Sequence, residues 1–217
     1  MKKSERPEIP EEKIYQVNNT KKIDFNKPYK YLHFEWWWYV LTFIPYMICF
    51  TIAVGAAIFY GLKIKGRKHK KILKKQGCIT ISNHCHYFDT VFANIVLFPK
   101  ILHVGVAQQN FEVPYIRRIL RFTRTFPIPR EKGLERITPI VGEALKRKHN
   151  IHFLPEGDLC HLSQTIHRFR IGAFYLSYIH QAPILPITYV LKRRKFFGKL
   201  LKPHYVKFIM VFGEPIY

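Results

Sequence analysis

The stretch Ser82-Asn83-His84-Cys85-His86-Tyr87-Phe88-Asp89 places an imidazole five residues before a carboxylate. On one continuous helix the two would lie about 140° apart around the axis and could not meet. With His84 in a loop and Asp89 at the start of the next helix they can. The carboxylate then accepts the Nδ1 proton, fixes the tautomer and leaves Nε2 free to take a proton from a hydroxyl. Aspartate is also a preferred helix N-cap, and a histidine in a polar loop needs no special role, so this spacing alone does not separate a base from a cap.

Three further clusters carry chemistry. Phe126-Pro127-Ile128-Pro129-Arg130 sets a permanent cation behind a stiff extended segment, an arrangement suited to a bidentate phosphate clamp. Phe153-Leu154-Pro155-Glu156-Gly157-Asp158 ends an apolar run with a carboxylate and then a glycine, which permits an unusual backbone angle or a close approach. Pro183-Ile184-Leu185-Pro186-Ile187 opens another apolar run whose entry two prolines fix. The cysteines Cys49, Cys78, Cys85 and Cys160 show no Cys-x-x-Cys spacing, so neither a disulfide nor a metal site is expected from them. Cys85, beside His84, offers a thiol relay as an alternative to direct transfer.

The elements that must position these groups read as an α/β layered domain, with short β-branched apolar runs alternating with amphipathic stretches. Strands are expected at 78–82, 101–106, 125–128, 151–154, 184–191 and 206–212, and helices at 89–98, 113–122, 134–148 and 171–180. The His84 loop then falls between a strand end and a helix start, where layered sheets hold their ligands. Arg117, Arg121 and Arg124, at i, i+4 and i+7, are expected on one helical face.

Charge and hydropathy say where such a domain works. The chain carries 36 Lys+Arg against 14 Asp+Glu, a formal charge of +22, while 48% apolar content excludes a disordered basic tail. So basic a fold seeks a polyanion, either nucleic acid or an anionic membrane. Residues 36–62 decide between them, because they hold no charged side chain and are long enough to be membrane-embedded. Trp36, Trp37, Trp38 and Tyr39 form an aromatic belt at one end, and eight cations from Lys63 to Lys75 without one acid follow the other. Pro45 leaves open a spanning helix, a kinked one or a re-entrant hairpin. The expected organisation is a basic and aromatic tail on the bilayer surface (1–35), the membrane segment (36–62), a basic juxtamembrane linker (63–75) and a catalytic domain (76–217). Lys192-Arg193-Arg194-Lys195-Phe196-Phe197 adds cations beside rings for the same surface. No nucleic-acid module is recognisable, so no nucleic-acid partner is expected.

Taken together, the order and spacing of the four clusters resemble the 1-acylglycerol-3-phosphate acyltransferase family, the PlsC-like lysophospholipid acyltransferases. Asn83, His84 and Asp89 match the family's first block and Arg130 the end of its second. Pro155, Glu156 and Gly157 match the third block, and Pro186 the fourth. Phe169-Arg170-Ile171-Gly172-Ala173 looks like a further family element, with arginine where lysine is usual. The resemblance implies a mixed, mostly parallel sheet flanked by helices, preceded by a membrane-embedded helix or helical hairpin. It implies transfer of a fatty acyl group from acyl-CoA or acyl carrier protein to the free hydroxyl of a lysophospholipid, foremost 1-acylglycerol-3-phosphate, giving phosphatidic acid. In that scheme His84 is the base and Asp89 its partner. Arg130, Glu156, Gly157 and Arg170 bind the acceptor and its phosphate, while Asn83, Pro155 and Pro186 shape the site. No metal or organic cofactor is required; the partners are membrane lipids, the lysophospholipid and the acyl donor, and the place is the cell membrane with the catalytic domain on the cytoplasmic face. The chain departs from the pattern at His86, where serine is common, and at Asp158, Leu159 and Cys160, where Thr-Arg-Ser is usual. The second departure keeps a different lyso-lipid acceptor open.

Overall fold

A computed structural model of the chain describes residues 22–25, 27–196, 199–200 and 205–217. After an extended segment comes α1 (Trp36–Phe59), then β1 (Lys63–Lys65), a 3-10 turn (Arg67–Lys71), α2 (Ile72–Lys75), β2 (Ile79–Ser82) and α3 (Asp89–Leu97). β3 (Leu102–Ala107), α4 (Gln108–Glu112), α5 (Pro114–Phe122), β4 (Thr125–Ile128), α6 (Gly133–Lys146) and β5 (Asn150–Phe153) follow. The chain goes on through α7 (Gly172–His180), β6 (Ile184–Arg193), the small hairpin of β7 (Lys195–Phe196) and β8 (Lys199–Leu200), and β9 (Val206–Phe212).

Seven strands form one sheet in the order β1-β9-β6-β2-β5-β3-β4. The five from β6 to β4 are parallel; β9 runs antiparallel to β6, and β1 parallel to β9. The mixed, mostly parallel sheet flanked by helices is therefore what the chain forms. β2 and β5 sit at its centre and are buried throughout, which is why their runs show no polar–apolar alternation. Pro186 fits inside β6 because pairing with β9 begins only at Ile187, so its missing N–H interrupts no ladder bond on that side.

Two cores form, one on each face. Phe92 and Leu97 of α3 and Leu73 of α2 join Tyr189, Phe208 and Phe212 of the sheet on one face. Val141 and Ala144 of α6 and Leu176 of α7 cover Ile79, Phe126 and Ile151 on the other.

The amino-terminal organisation differs from expectation in two places. The described part of the tail is built into the domain, with Leu32 buried and Tyr31 and Phe34 packed on the second core. The 63–75 linker is folded as well: Lys63–Lys65 is an edge strand on β9, and Ile72 and Leu73 are buried in the first core. Its lysines hid a strand, since exposed lysines beside one inward isoleucine are how a short edge strand avoids pairing with other chains.

α1 runs through Pro45 as one 24-residue helix, about 36 Å long, so the hairpin alternative is not adopted. It is long and apolar enough to cross a membrane, and most of its surface is unburied. Yet it touches the domain along its length. Arg124 lies over the rings of Tyr39 and Tyr46, at 5.3 and 4.4 Å from their centroids. Further along, Tyr46 Oη donates to Asn94 Oδ1 (2.9 Å), Phe50 meets Phe98, and Tyr60, just past the helix, packs its ring 5.2 Å from His86.

Candidate active site

β2 ends at Ser82, on the rim formed by the carboxyl ends of the parallel strands. Asn83 continues its ladder with a side chain: its Oδ1 accepts the Tyr189 N–H (2.8 Å) and its Nδ2 donates to the Tyr189 carbonyl (3.1 Å). That bond pair turns the backbone out of the sheet and frees His84 for the loop. α3 starts at Asp89, whose carboxylate folds back rather than capping the helix. Its Oδ2 lies 3.2 Å from His84 Nδ1 and accepts the backbone N–H groups of Cys85 and His86, both at 2.8 Å. Asp89 is fully buried, whereas the His84 side chain keeps 20% of its surface. The helix N-cap position is Phe88, so the two readings of Asp89 separate: it is the imidazole's partner.

His86 has a different environment. Only 5% exposed, it lies among the rings of Tyr60, Phe88 and Phe208, and its Nδ1 accepts the Phe88 N–H. Burial first, and then the neighbouring His161, hold it below its ordinary value. It fills space where the related pattern has a smaller residue. Burial and the Asp89 carboxylate push the Cys85 thiol far up, and its S–H faces Asp89 Oδ1 at 3.8 Å. A neutral thiol turned toward a carboxylate is a poor nucleophile, which removes the support for a Cys85 relay.

Several residues brace the loop that sequence reasoning had passed over. The buried Tyr189 hydroxyl donates to the Asp89 carbonyl at 2.5 Å, tying β6 to the first residue of α3. Residues 160–162 run beside the loop, with the Cys160 and Leu162 N–H groups donating to the His84 and Cys85 carbonyls (3.2 and 2.8 Å). Beneath it, Thr80 Oγ1 and Ser82 Oγ bracket the two ring nitrogens of His152 at 2.8 and 3.2 Å. Complete burial, and after it the nearby His84, pull His152 down to about 3, so it is neutral. A polar residue inside the apolar run of β5 was the available signal for His152. For Tyr189 there was none, since an aromatic in a strand reads as core.

The remaining residues of the pattern lie on the same rim but are not all in contact with His84. Glu156 Oε1 faces the His84 N–H at 3.4 Å and is buried, which makes it a brace of the loop. Gly157 has φ +82°, and a Cβ there would collide with the Arg170 guanidinium, so no other residue fits without displacing that arginine. Arg170 itself is exposed, its N–H donating to the buried Pro155 carbonyl (2.8 Å) and its Nη2 to Asp158 Oδ2 (3.2 Å). Arg130 stands exposed after β4, three strand spacings or roughly 14 Å from β2, held by Gln108 and Gln109 of α4. Pro186 pairs with Ile81 in β2, and its carbonyl accepts the Gly213 N–H. Among the described residues, no three His, Cys, Asp or Glu side chains converge as metal ligands would.

Residues 63–190 match the family model described as Acyltransferase. The chain is 27% identical over 134 residues, 60% of its length, to the human 1-acyl-sn-glycerol-3-phosphate acyltransferase beta, covering 48% of that protein. It has the same identity over the same length with the 1-acyl-sn-glycerol-3-phosphate acyltransferase of Escherichia coli K12, covering 54% of it. The chain thus spans about half the length of the curated relatives it matches. Its fold is similar to the crystal structure of the 1-acyl-sn-glycerophosphate (LPA) acyltransferase PlsC from Thermotoga maritima, with a TM-score of 0.54 at 16% identity over 79% of this chain and 68% of that one. With the matched region running from β1 into β6 and containing the whole His84–Asp89 site, the chain belongs to the Acyltransferase family.

Proposed function

We propose that this chain transfers a fatty acyl group from a thioester, acyl-CoA or acyl carrier protein, to the free hydroxyl of a lysophospholipid, with 1-acylglycerol-3-phosphate as the first acceptor to try. The observation that carries the reading is the His84–Asp89 pair: Asp89 is buried and held by two backbone N–H groups, and the imidazole it orients reaches the surface. As the acceptor oxygen attacks the thioester carbonyl, its proton passes to His84 Nε2. The carbon–sulfur bond then breaks, and the departing sulfur takes that proton, leaving an ester and a free thiol. Asp89 stabilises the imidazolium in between; base catalysis of this kind contributes roughly 10²–10⁴-fold. Arg130 and Arg170, on the same rim, supply cations for the acceptor phosphate. The chain's own residues account for each proton moved, so the scheme calls for no metal or organic cofactor.

Both lipids reside in a bilayer, and α1 supports delivery from its surface. A helix crossing the membrane upright would draw Arg124, Asn94 and the edges of α3 and α5, which contact it, into hydrocarbon, at several kcal/mol for the charge alone. We infer that α1 lies along the membrane plane, with its exposed apolar side in one leaflet and the domain above it. The cations from Lys63 to Lys75 favour the anionic cytoplasmic leaflet. One observation favours a second acceptor class: Asp158 occupies Arg170, leaving that cation partly neutralised. The test is mass spectrometry of lipids formed by purified protein given a panel of lyso-lipids with both donor types, beside the His84→Ala variant. Product formed at an undiminished rate by His84→Ala would overturn the mechanism.

A further inference from the structure

Away from His84, at the amino ends of β3 and β4, a second group of cations surrounds a hollow. α5 stops at Phe122, and Arg124 takes a left-handed conformation (φ +60°), so the expected arginine face divides. Arg117 turns back to the Phe111 carbonyl (2.5 Å), while Arg121 and Arg124 turn toward the extended amino-terminal segment and α1. There they line a hollow with Tyr31, His33, Trp38 and His103. Counting its open mouth it measures about 260 Å³, but its closed depth takes only about one water-sized group. A phosphate would therefore set one oxygen inside and rest its remaining oxygens in the open mouth, and an acyl chain would not enter.

Its chemistry is unbalanced. Arg121 rests on the Tyr29 ring and Arg124 on those of Tyr39 and Tyr46, yet among the described residues neither guanidinium has a hydrogen-bond acceptor or a carboxylate partner. The neighbouring acid, Glu35, is shared between Lys30 and, through Oε2 at 3.5 Å, His33 of the hollow's wall, and it reaches neither arginine. The positive field reaches the histidines. Burial, then His149 and Arg124, pull His103 down to about 3, and burial, then Lys30, lower His33. Among the described residues the buried Tyr31 hydroxyl has no hydrogen-bond partner. Guanidinium groups that meet only rings keep their N–H groups free for an anion, and a planar fork is made for phosphate. Trp38, which lines the hollow, sits on the first turns of α1, where Trp36, Trp37 and Val40 stand exposed.

We propose that the hollow between α5, the 29–34 segment and the start of α1 binds the phosphate of an anionic phospholipid headgroup through Arg121 and Arg124, as a site separate from the His84 site. The bound lipid fixes the height and tilt of α1 in the leaflet without entering the chemistry.

Native mass spectrometry of the full-length protein, released from micelles containing equal phosphatidylglycerol and phosphatidylcholine, tests this. The wild type should retain phosphatidylglycerol in preference, and the Arg121→Gln/Arg124→Gln variant should lose that preference by roughly tenfold or more. Arg118→Gln, an exposed change on the same helix, should leave it intact; an equal loss there would mean general surface charge and overturn the site. His84→Ala should also leave it intact, which separates this proposal from the acyl-transfer reading. Should the glutamine pair fail to fold, Arg121→Lys/Arg124→Lys keeps the charge but loses the forks; a several-fold loss supports the site and an unchanged preference overturns it. Displacement of the retained lipid from the wild type by millimolar inorganic phosphate would assign the hollow to a soluble anion and overturn the lipid reading.

Discussion

At the scale of single residues, Asp89 works because of what holds it. Two N–H groups, an imidazole and, through the backbone, the Tyr189 hydroxyl fix a carboxylate that no solvent reaches. Tyr189→Phe removes one buried donor of about 1 kcal/mol while keeping the ring. Turnover should fall several-fold with little change in acceptor KM, because the base is misaligned and the acceptor is still bound; steady-state kinetics on the purified variant checks this. His86→Ala should act on stability instead, lowering the melting temperature by opening a void among the Tyr60, Phe88 and Phe208 rings. The spacing of His84 and Asp89 allowed their pairing but did not separate it from a helix cap; the turn between them and an N-cap at Phe88 do. The turn of Arg121 and Arg124 toward the amino-terminal segment and α1 was not legible: a helical wheel cannot show that Arg124 leaves the helix in a left-handed conformation.

At the scale of elements, the bounds expected for β4 and β9 agree with the structure because prolines and turn residues punctuate them and β-branched residues fill them. β1 and α4 went unseen, one reading as a polycation and the other being too short to show a period. α4 matters for function. Through Gln108 and Gln109 it holds Arg130, which in the proposed scheme bridges the gap to β2 with the acceptor. Arg130→Lys keeps a charge there but loses the second donor of a bidentate clamp. Acceptor KM should rise several-fold while donor KM stays put, and initial rates with each substrate varied in turn distinguish the two. The apposition of Phe196 and Phe197 with the basic stretch lies partly outside the described residues.

For the whole molecule, two expectations follow from burial. Apolar insertion of α1 is insensitive to ionic strength, whereas attraction between surface lysines and lipid is screened beyond a Debye length of about 10 Å. The protein should therefore stay with vesicles through a wash of about 1 M salt, and a protease-accessibility assay should find no part of α1's flanks on the far side of the bilayer. The second concerns acid. His103 and His152 are buried neutral, at about 3 in the fold against an ordinary 6.5. Unfolding takes up a proton at each, so their contribution is fully present above about pH 6.5 and is lost as pH falls toward about 3. Each removes about 1.4 kcal/mol per pH unit inside that window. Melting temperature should drop steeply between about pH 6 and pH 4, and less so in His103→Gln.

β1, which directly follows α1, pairs among the described residues with β9 alone, whose first residue lies 141 positions further along the chain. During synthesis at about 5–20 residues per second, α1 therefore waits roughly 7–28 seconds before the strand that seats its carboxyl end has been made. Over that interval α1 is exposed on an unfinished sheet, since α3 emerges within about 40 residues but the strand that closes the sheet beside α1's carboxyl end does not. The bilayer is then the earliest surface that can cover it, and the domain closes on a helix already resting in lipid. Delivery to the membrane is on this account a step in folding, and the same chain released into water without lipid should aggregate before β9 can close the sheet.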